Sequence, residues 1–172
     1  YAFYNLSSLT SVVVEDNVEE IGFAAFGNCQ SLTNIKIPFV GQKVGQNEFF
    51  GYIFGAQSYY DNNTYTQYVT DVTLTSSADI ASYAFYSCSS IVNFTFNKTD
   101  KIEFYAFSNV NFNNVNYYGT MDDWLNTKLV SESSQRYVRG ISNNITEYAS
   151  RLCAKVLVEY AATSTNTLLN SS

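Results

Sequence analysis

Residues 83–96 read YAFYSCSSIVNFTF, and residues 24–37 read AAFGNCQSLTNIKI. Each stretch writes Ala-Phe, a Cys three residues after the Phe, a Leu or Ile three residues after the Cys, and then two apolar residues in alternation. The Ala-Phe pair recurs at Ala2-Phe3, Ala25-Phe26, Ala84-Phe85 and Ala106-Phe107. An apolar triplet of constant internal spacing follows each pair: Leu9/Val12/Val14, Leu32/Ile35/Ile37, Ile91/Phe94/Phe96 and Phe112/Val115/Tyr117, the last arriving one residue early. A fifth triplet, Val69/Val72/Leu74, stands without its Ala-Phe, and a lone Ile (Ile21, Ile80, Ile102) precedes three of the pairs. Periods of about 20–30 residues signal a solenoid, in which each coil covers the apolar edge of its neighbour.

The chemistry of one coil follows from the pattern. In TSVVVE, residues 10–15, Val12 and Val14 alternate with Ser11, Val13 and Glu15, which predicts a short strand with one buried face. Strands of successive coils then pair side by side as a parallel sheet, and the Ile and Ala-Phe positions carry the chain back along the opposite wall. Ala is small where backbones run close, and Phe fills the middle of the coil, contributing about 2–3 kcal/mol when buried. Cys29 and Cys88 share one template position, which Leu6 and Val110 fill in other units. They read as small buried hydrophobes. Two coils separate them, so at ~4.8 Å per coil the sulfurs lie about 10 Å or more apart, beyond disulfide reach. The third cysteine, Cys153, falls on a helical face, and all three are expected to be free thiols.

The composition narrows the function classes. With 17% aromatic and 14% charged residues, the 172-residue chain can bury a core, which argues against disorder. The net charge is −6 and no run of Lys or Arg occurs, which excludes the basic stripe of a nucleic-acid binder. No stretch is long and apolar enough to span a membrane. The absence of His removes His-based triads and His metal sites. There is no glycine-rich phosphate loop, nucleophile-elbow Ser or CxxC. Asp61 in DNNT, residues 61–64, is a single carboxylate and too little for a calcium cage. No cofactor or metal is expected. The chain opens YAFYNLSSL, without Met or a leader pattern, and reads as part of something longer.

The template AFGNCQSLTNIKIP, repeated as AFYSCSSIVNFTF, resembles the leucine-rich repeats of BspA-like bacterial surface proteins. Residues 49–74 look like the insertion that interrupts such arrays, and VNYYGTMDDWLNT, residues 115–127, looks like their closing segment. The resemblance covers about residues 1–128. It implies a right-handed solenoid on a secreted or cell-surface bacterial protein, an adhesive role towards host matrix proteins or other cells, and no enzyme.

Three segments lie outside the plain repeat. Residues 39–68 form the insertion, in which EFFGYIFG is expected to bury Phe50, Ile53 and Phe54, and SYYDNNTYTQY, residues 58–68, to form an exposed loop. Thr120 is placed to cap a short helix with Asp123 three residues on, Met121, Trp124 and Leu125 sharing a face. In NITEYASRLCAKVLVEY, residues 144–160, Ile145, Tyr148, Ala149, Leu152, Val156 and Tyr160 mark one face of a longer helix, before a frayed tail at 163–172. The expected organisation is therefore a solenoid over 1–120, with the insertion at 39–68, and a helical cap with tail over 121–172.

The fold class is an α/β leucine-rich-repeat solenoid with five short parallel strands. Its outward rows are Val13, Lys36, Thr73, Thr95 and Asn116, flanked by Ser11, Asn34, Asp71, Asn93 and Asn114, a polar and nearly uncharged face. The insertion re-enters beside the third strand. Candidate partner-binding residues are therefore Tyr59, Tyr60, Tyr65 and Tyr68 together with Asp71, Thr73 and Thr95, because Tyr offers large contact area at low entropy cost. The expected function is a non-catalytic protein-binding or adhesion module, extracellular or on the cell surface. A glycan-binding accessory domain and a purely structural spacer are the alternatives.

Overall fold

The computed structural model describes residues 1–130. The expected segments at 144–160 and 163–172, and Cys153 with them, lie outside the described residues. Five strands form one parallel sheet in the order β1-β2-β3-β4-β6, spanning Ser11–Val13, Asn34–Ile37, Asp71–Leu74, Asn93–Phe96 and Asn114–Tyr117. The register is constant throughout. Val12, Ile35, Val72, Phe94 and Val115 stand side by side in one inward row. Thus the spacing of the apolar triplets is the register of the sheet.

Two of the lone Ile residues, Ile80 and Ile102, belong to a second, narrower ladder. Ile80 bridges Ile102 in parallel, and β5 (Lys101–Ile102) pairs in parallel with β7 (Lys128–Leu129). The Ala-Phe turns make a third wall, held coil to coil by backbone bonds. Phe3 N–H donates to Ala25 O at 2.8 Å, and Phe85 N–H to Ala106 O at 2.8 Å.

Phe side chains run between the walls as a continuous spine. Phe3 stacks on Phe26 (5.6 Å, 6°), and Phe85 on Phe107 (5.6 Å, 9°). Phe85 also meets Phe94 of the sheet at 5.2 Å. Cys29, Cys88 and Val110 are buried at the shared template position, and both cysteines are free. Burial among apolar groups pushes the Cys88 thiol up to about 12.

Each turn of the Ala-Phe wall also requires two left-handed residues. One sits just before the Ala (Ala24, Tyr83, Tyr105) and one two residues after the Phe (Asn5, Asn28, Ser87, Asn109), with φ between 53° and 66°. Asn suits the second position because its short polar side chain tolerates this backbone region. Asn28 bonds Asn5, and Asn109 bonds the Ser87 hydroxyl at 3.2 Å, so the second position is itself a side-chain ladder between coils.

Between β2 and β3 the missing Ala-Phe is replaced by a 3-10 helix, Phe50–Phe54. It takes hydrogen bonds from the coil before and gives one to the coil after. Ala24 N–H donates to Tyr52 O, Phe26 N–H to Ile53 O, and Phe50 N–H to Ala84 O. Phe50, Ile53 and Phe54 are buried, and Phe50 and Phe54 join the spine through Phe85 and Phe26.

Residues 58–68 are exposed at Tyr60, Tyr65 and Tyr68 as expected, but they are not an irregular loop. They form a 3-10 turn, Tyr59–Asp61, running into helix α1, Asn62–Thr66. Two polar side chains decide this. Asn62 is fully buried; its Oδ1 accepts from Gly51 N–H at 2.8 Å, and its Nδ2 donates to Tyr86 O at 3.1 Å. Thr66, equally buried, donates to Asn62 O at 2.9 Å. Gly51 makes room for this anchor, since a Cβ there would lie 2.7 Å from Asn62 Oδ1.

After β6, Thr120 caps helix α2, Met121–Asn126, in a capping box with Asp123. The Thr120 bonds, reinforced by Lys98, hold the Asp123 carboxyl below its usual range. Trp124 is buried against Phe96 and Tyr117. The side chains of Met121 and Leu125 lie outside the described residues.

Candidate functional site

The outer face of the sheet is one surface because the register never slips. Its side chains are ordered by bonds running across the strands. Asn114 Nδ2 donates to Asn93 Oδ1 at 2.7 Å, Asn93 Nδ2 donates to Asp71 Oδ1 at 2.7 Å, and the Thr70 hydroxyl donates to Asp71 Oδ2 at 2.6 Å. In the next row Asn116 Nδ2 donates to Thr95 Oγ1 at 3.4 Å. A shallow depression of about 390 Å³ lies over these rows, and Asp71, Thr73 and Thr95 are all among its walls. Its chemistry is that of amide and hydroxyl groups, with Asp71 as the carboxylate.

The tyrosines lie elsewhere, which corrects the expectation of one shared site. Tyr59 stacks on Tyr83 (4.2 Å, 18°), and Tyr83 stacks in turn on Tyr105 (5.5 Å, 23°). Tyr60 meets Tyr59 and the edge of Tyr86. Tyr83 and Tyr105 belong to the Ala-Phe wall, which is separated from the sheet by the Phe85–Phe94 contact. Tyr59 and Tyr60 therefore sit across the coil from Asp71, Thr73 and Thr95. The anchoring of Asn62 to Ala84 and Tyr86 is the physical reason. A hydrogen bond with Tyr60, followed by burial, pushes the Tyr59 phenol up to about 12, and burial raises Tyr83 as well.

Tyr65 and Tyr68 form a third location. They border a cleft of about 530 Å³ between α1 and the first two coils, opposite Tyr1, Tyr4 and Phe23. Sequence reasoning placed Tyr65 and Tyr68 among the candidates but missed Tyr4, Phe23, Tyr83, Tyr86 and Tyr105. Tyr83 and Tyr105 stand at the same template position, next to Ala84 and Ala106, and that recurrence was the signal available.

The profile of the BspA type Leucine rich repeat region matches the chain in 6 copies, over residues 1–124 and 54–166. The chain belongs to the BspA-type leucine-rich-repeat family. No curated protein matches it, and no solved structure does. The BspA-type match runs to residue 166, past residue 128 where the template ceases to be readable by eye, and counts one copy more than the five apolar triplets. Among the described residues no cluster of three or more His, Cys, Asp or Glu is placed to hold a metal ion. No helix among them is long and apolar enough to cross a membrane.

Proposed function

We propose that this chain is a non-catalytic protein-binding module of a secreted or cell-surface bacterial protein, with adhesion to a host matrix protein or another cell as its role. Leucine-rich repeats generally mediate protein interactions, and the BspA-type family is typically surface-associated. One observation carries the reading: the outward side chains of β3, β4 and β6 form a bond-ordered amide and hydroxyl face, continued in register by β1 and β2. Solenoids commonly engage partners over such extended faces. Asp71, Thr73 and Thr95 are the proposed centre of contact. Tyr59 and Tyr60, on the Ala-Phe wall, and Tyr65 and Tyr68, beside α1, would contact only a partner that reaches around the coil.

The proposal extends to the organisation of the chain: a right-handed solenoid over 1–120, an insertion at 39–68, and a helical cap over 121–172. The test is capture of the chain on immobilised matrix proteins, comparing wild type with Thr73→Arg/Thr95→Arg. Both side chains point outward, so the variant should fold. Loss of capture in the folded variant supports the sheet face. Capture unchanged by the substitution moves the site to another wall, and no capture by any matrix protein favours a structural spacer. Because the face holds little charge, affinity should respond weakly to salt.

A further inference from the structure

The cleft between α1 and the first two coils has a lining unlike the sheet face. One side is aromatic: Tyr1 meets Tyr4 edge-on at 5.4 Å and Phe23 at 6.1 Å. Gly27 admits the Tyr4 ring, because a Cβ there would come within 2.8 Å of it. The other side is Tyr65 and Tyr68, which are 44% and 41% exposed and stack on no other ring among the described residues. Part of their area is therefore open, with the Tyr65 ring lying beside Gly55, whereas Tyr59, Tyr83 and Tyr105 cover one another's faces. Between the two sides stand amides. Gln57 and Gln67 line the cleft with side-chain amides that have no hydrogen-bond partner among the described residues, and Asn28 is held in place by its bonds with Asn5 and Gln30. Among the described residues no charged side chain lines the cleft.

We infer that this cleft is a binding site for a neutral oligosaccharide. A pyranose ring presents an apolar face of C–H groups and a rim of hydroxyls. Exposed tyrosine rings suit the first, and unpaired carboxamides, which both donate and accept, suit the second. With no charged side chain in the described lining and a net charge of −6 on the chain, sialylated, sulfated or phosphorylated glycans meet only the terminal ammonium of Tyr1, already bonded to Phe23 O, so neutral sugars are favoured. The site is separate from the proposed protein-binding face, so either can fail without the other.

The test uses the 172-residue chain and titration calorimetry with three neutral probes, chitohexaose, cellohexaose and maltoheptaose, alongside a heparin hexasaccharide. At least one neutral probe should bind, and more tightly than the heparin probe. Tyr65→Ala/Tyr68→Ala should weaken that binding about tenfold or more, as expected on truncating aromatic anchors. Tyr65→Phe/Tyr68→Phe, which keeps the rings, should retain most of it. Gln57→Ala provides a second, less intrusive loss. Tyr118→Ala, an exposed tyrosine beyond β6, should bind as wild type. Circular dichroism confirms the fold of each variant. No binding to any neutral probe, preference for the heparin probe, or unchanged affinity in the Tyr65/Tyr68 double Ala variant would overturn the inference.

Discussion

Phe85 illustrates how one residue type at one spacing builds the coil. It is fully buried and contacts Phe50, Phe94 and Phe107 at 5.2, 5.2 and 5.6 Å. Phe85→Ala removes a ring on which three others rest, and should destabilise by about 3–5 kcal/mol in urea unfolding; an unchanged midpoint would contradict its place in the spine. The left-handed positions make a subtler demand. Asn109→Ala should cost about 1 kcal/mol, and Asn109→Gly less, because only the Ala variant is forced against its preferred backbone region; equal losses would locate the effect in the bond to Ser87 instead. Cys88 supplies a pH dependence. An unfolded thiol ionises near 9.0 and the folded one only at about 12, so its stabilising contribution is complete below pH 9.0 and is lost as pH rises through 12. Stability measured at about pH 8 and about pH 11 should fall less in Cys88→Ala than in wild type, after allowing for their common alkaline loss. In the native chain Cys88 should resist thiol reagents. The apolar residues and their burial were legible from spacing alone. The left-handed residues were not, because Tyr83 and Ser87 carry no local mark of the backbone they adopt.

At the scale of elements, the repeats were legible and the departure from them was not. Each of the five strands of the main sheet was marked by alternation, and the capping box by Thr120 and Asp123 three apart, whereas the two-residue β5 and β7 are too short to carry a pattern. Residues 58–68 misled because Tyr, Asn and Thr are common in exposed loops, while the deciding fact is that Asn62 fits a gap left by Gly51. That fit depends on a partner eleven residues away and on the carbonyls of Ala84 and Tyr86, more than twenty residues further on. No local pattern encodes it. Asn62→Ala should therefore leave Gly51 N–H and the Tyr86 carbonyl without their partner and destabilise by about 1–3 kcal/mol. Hydrogen exchange should accelerate first at residues 50–66, with strands β4 and β6 retaining protection. Uniform acceleration across the sheet would show that α1 is integral to the coil stack and not an element laid upon it.

For the whole molecule, constant register is what turns short, weakly specified strands into surfaces. Each coil contributes two or three outward side chains, too few to recognise a partner. In register they form the rows to which Asp71, Thr73 and Thr95 belong, and a slip of one residue would turn the inward row of Val and Phe to solvent. The composite Tyr and sheet site was illegible for the same reason: sequence gives the order of walls along the chain, but not the face of the coil to which a long excursion returns. The proposed adhesion surface and the proposed sugar cleft both presuppose this stack. The measurement that tests it most directly is the set of cross-strand nuclear Overhauser contacts in isotopically labelled protein. The account predicts contacts linking Val12 to Ile35, Ile35 to Val72, Val72 to Phe94 and Phe94 to Val115 as one unbroken row. Contacts that place Val72 opposite Asn93 or Thr95, or that fail to join β2 to β3, would contradict it.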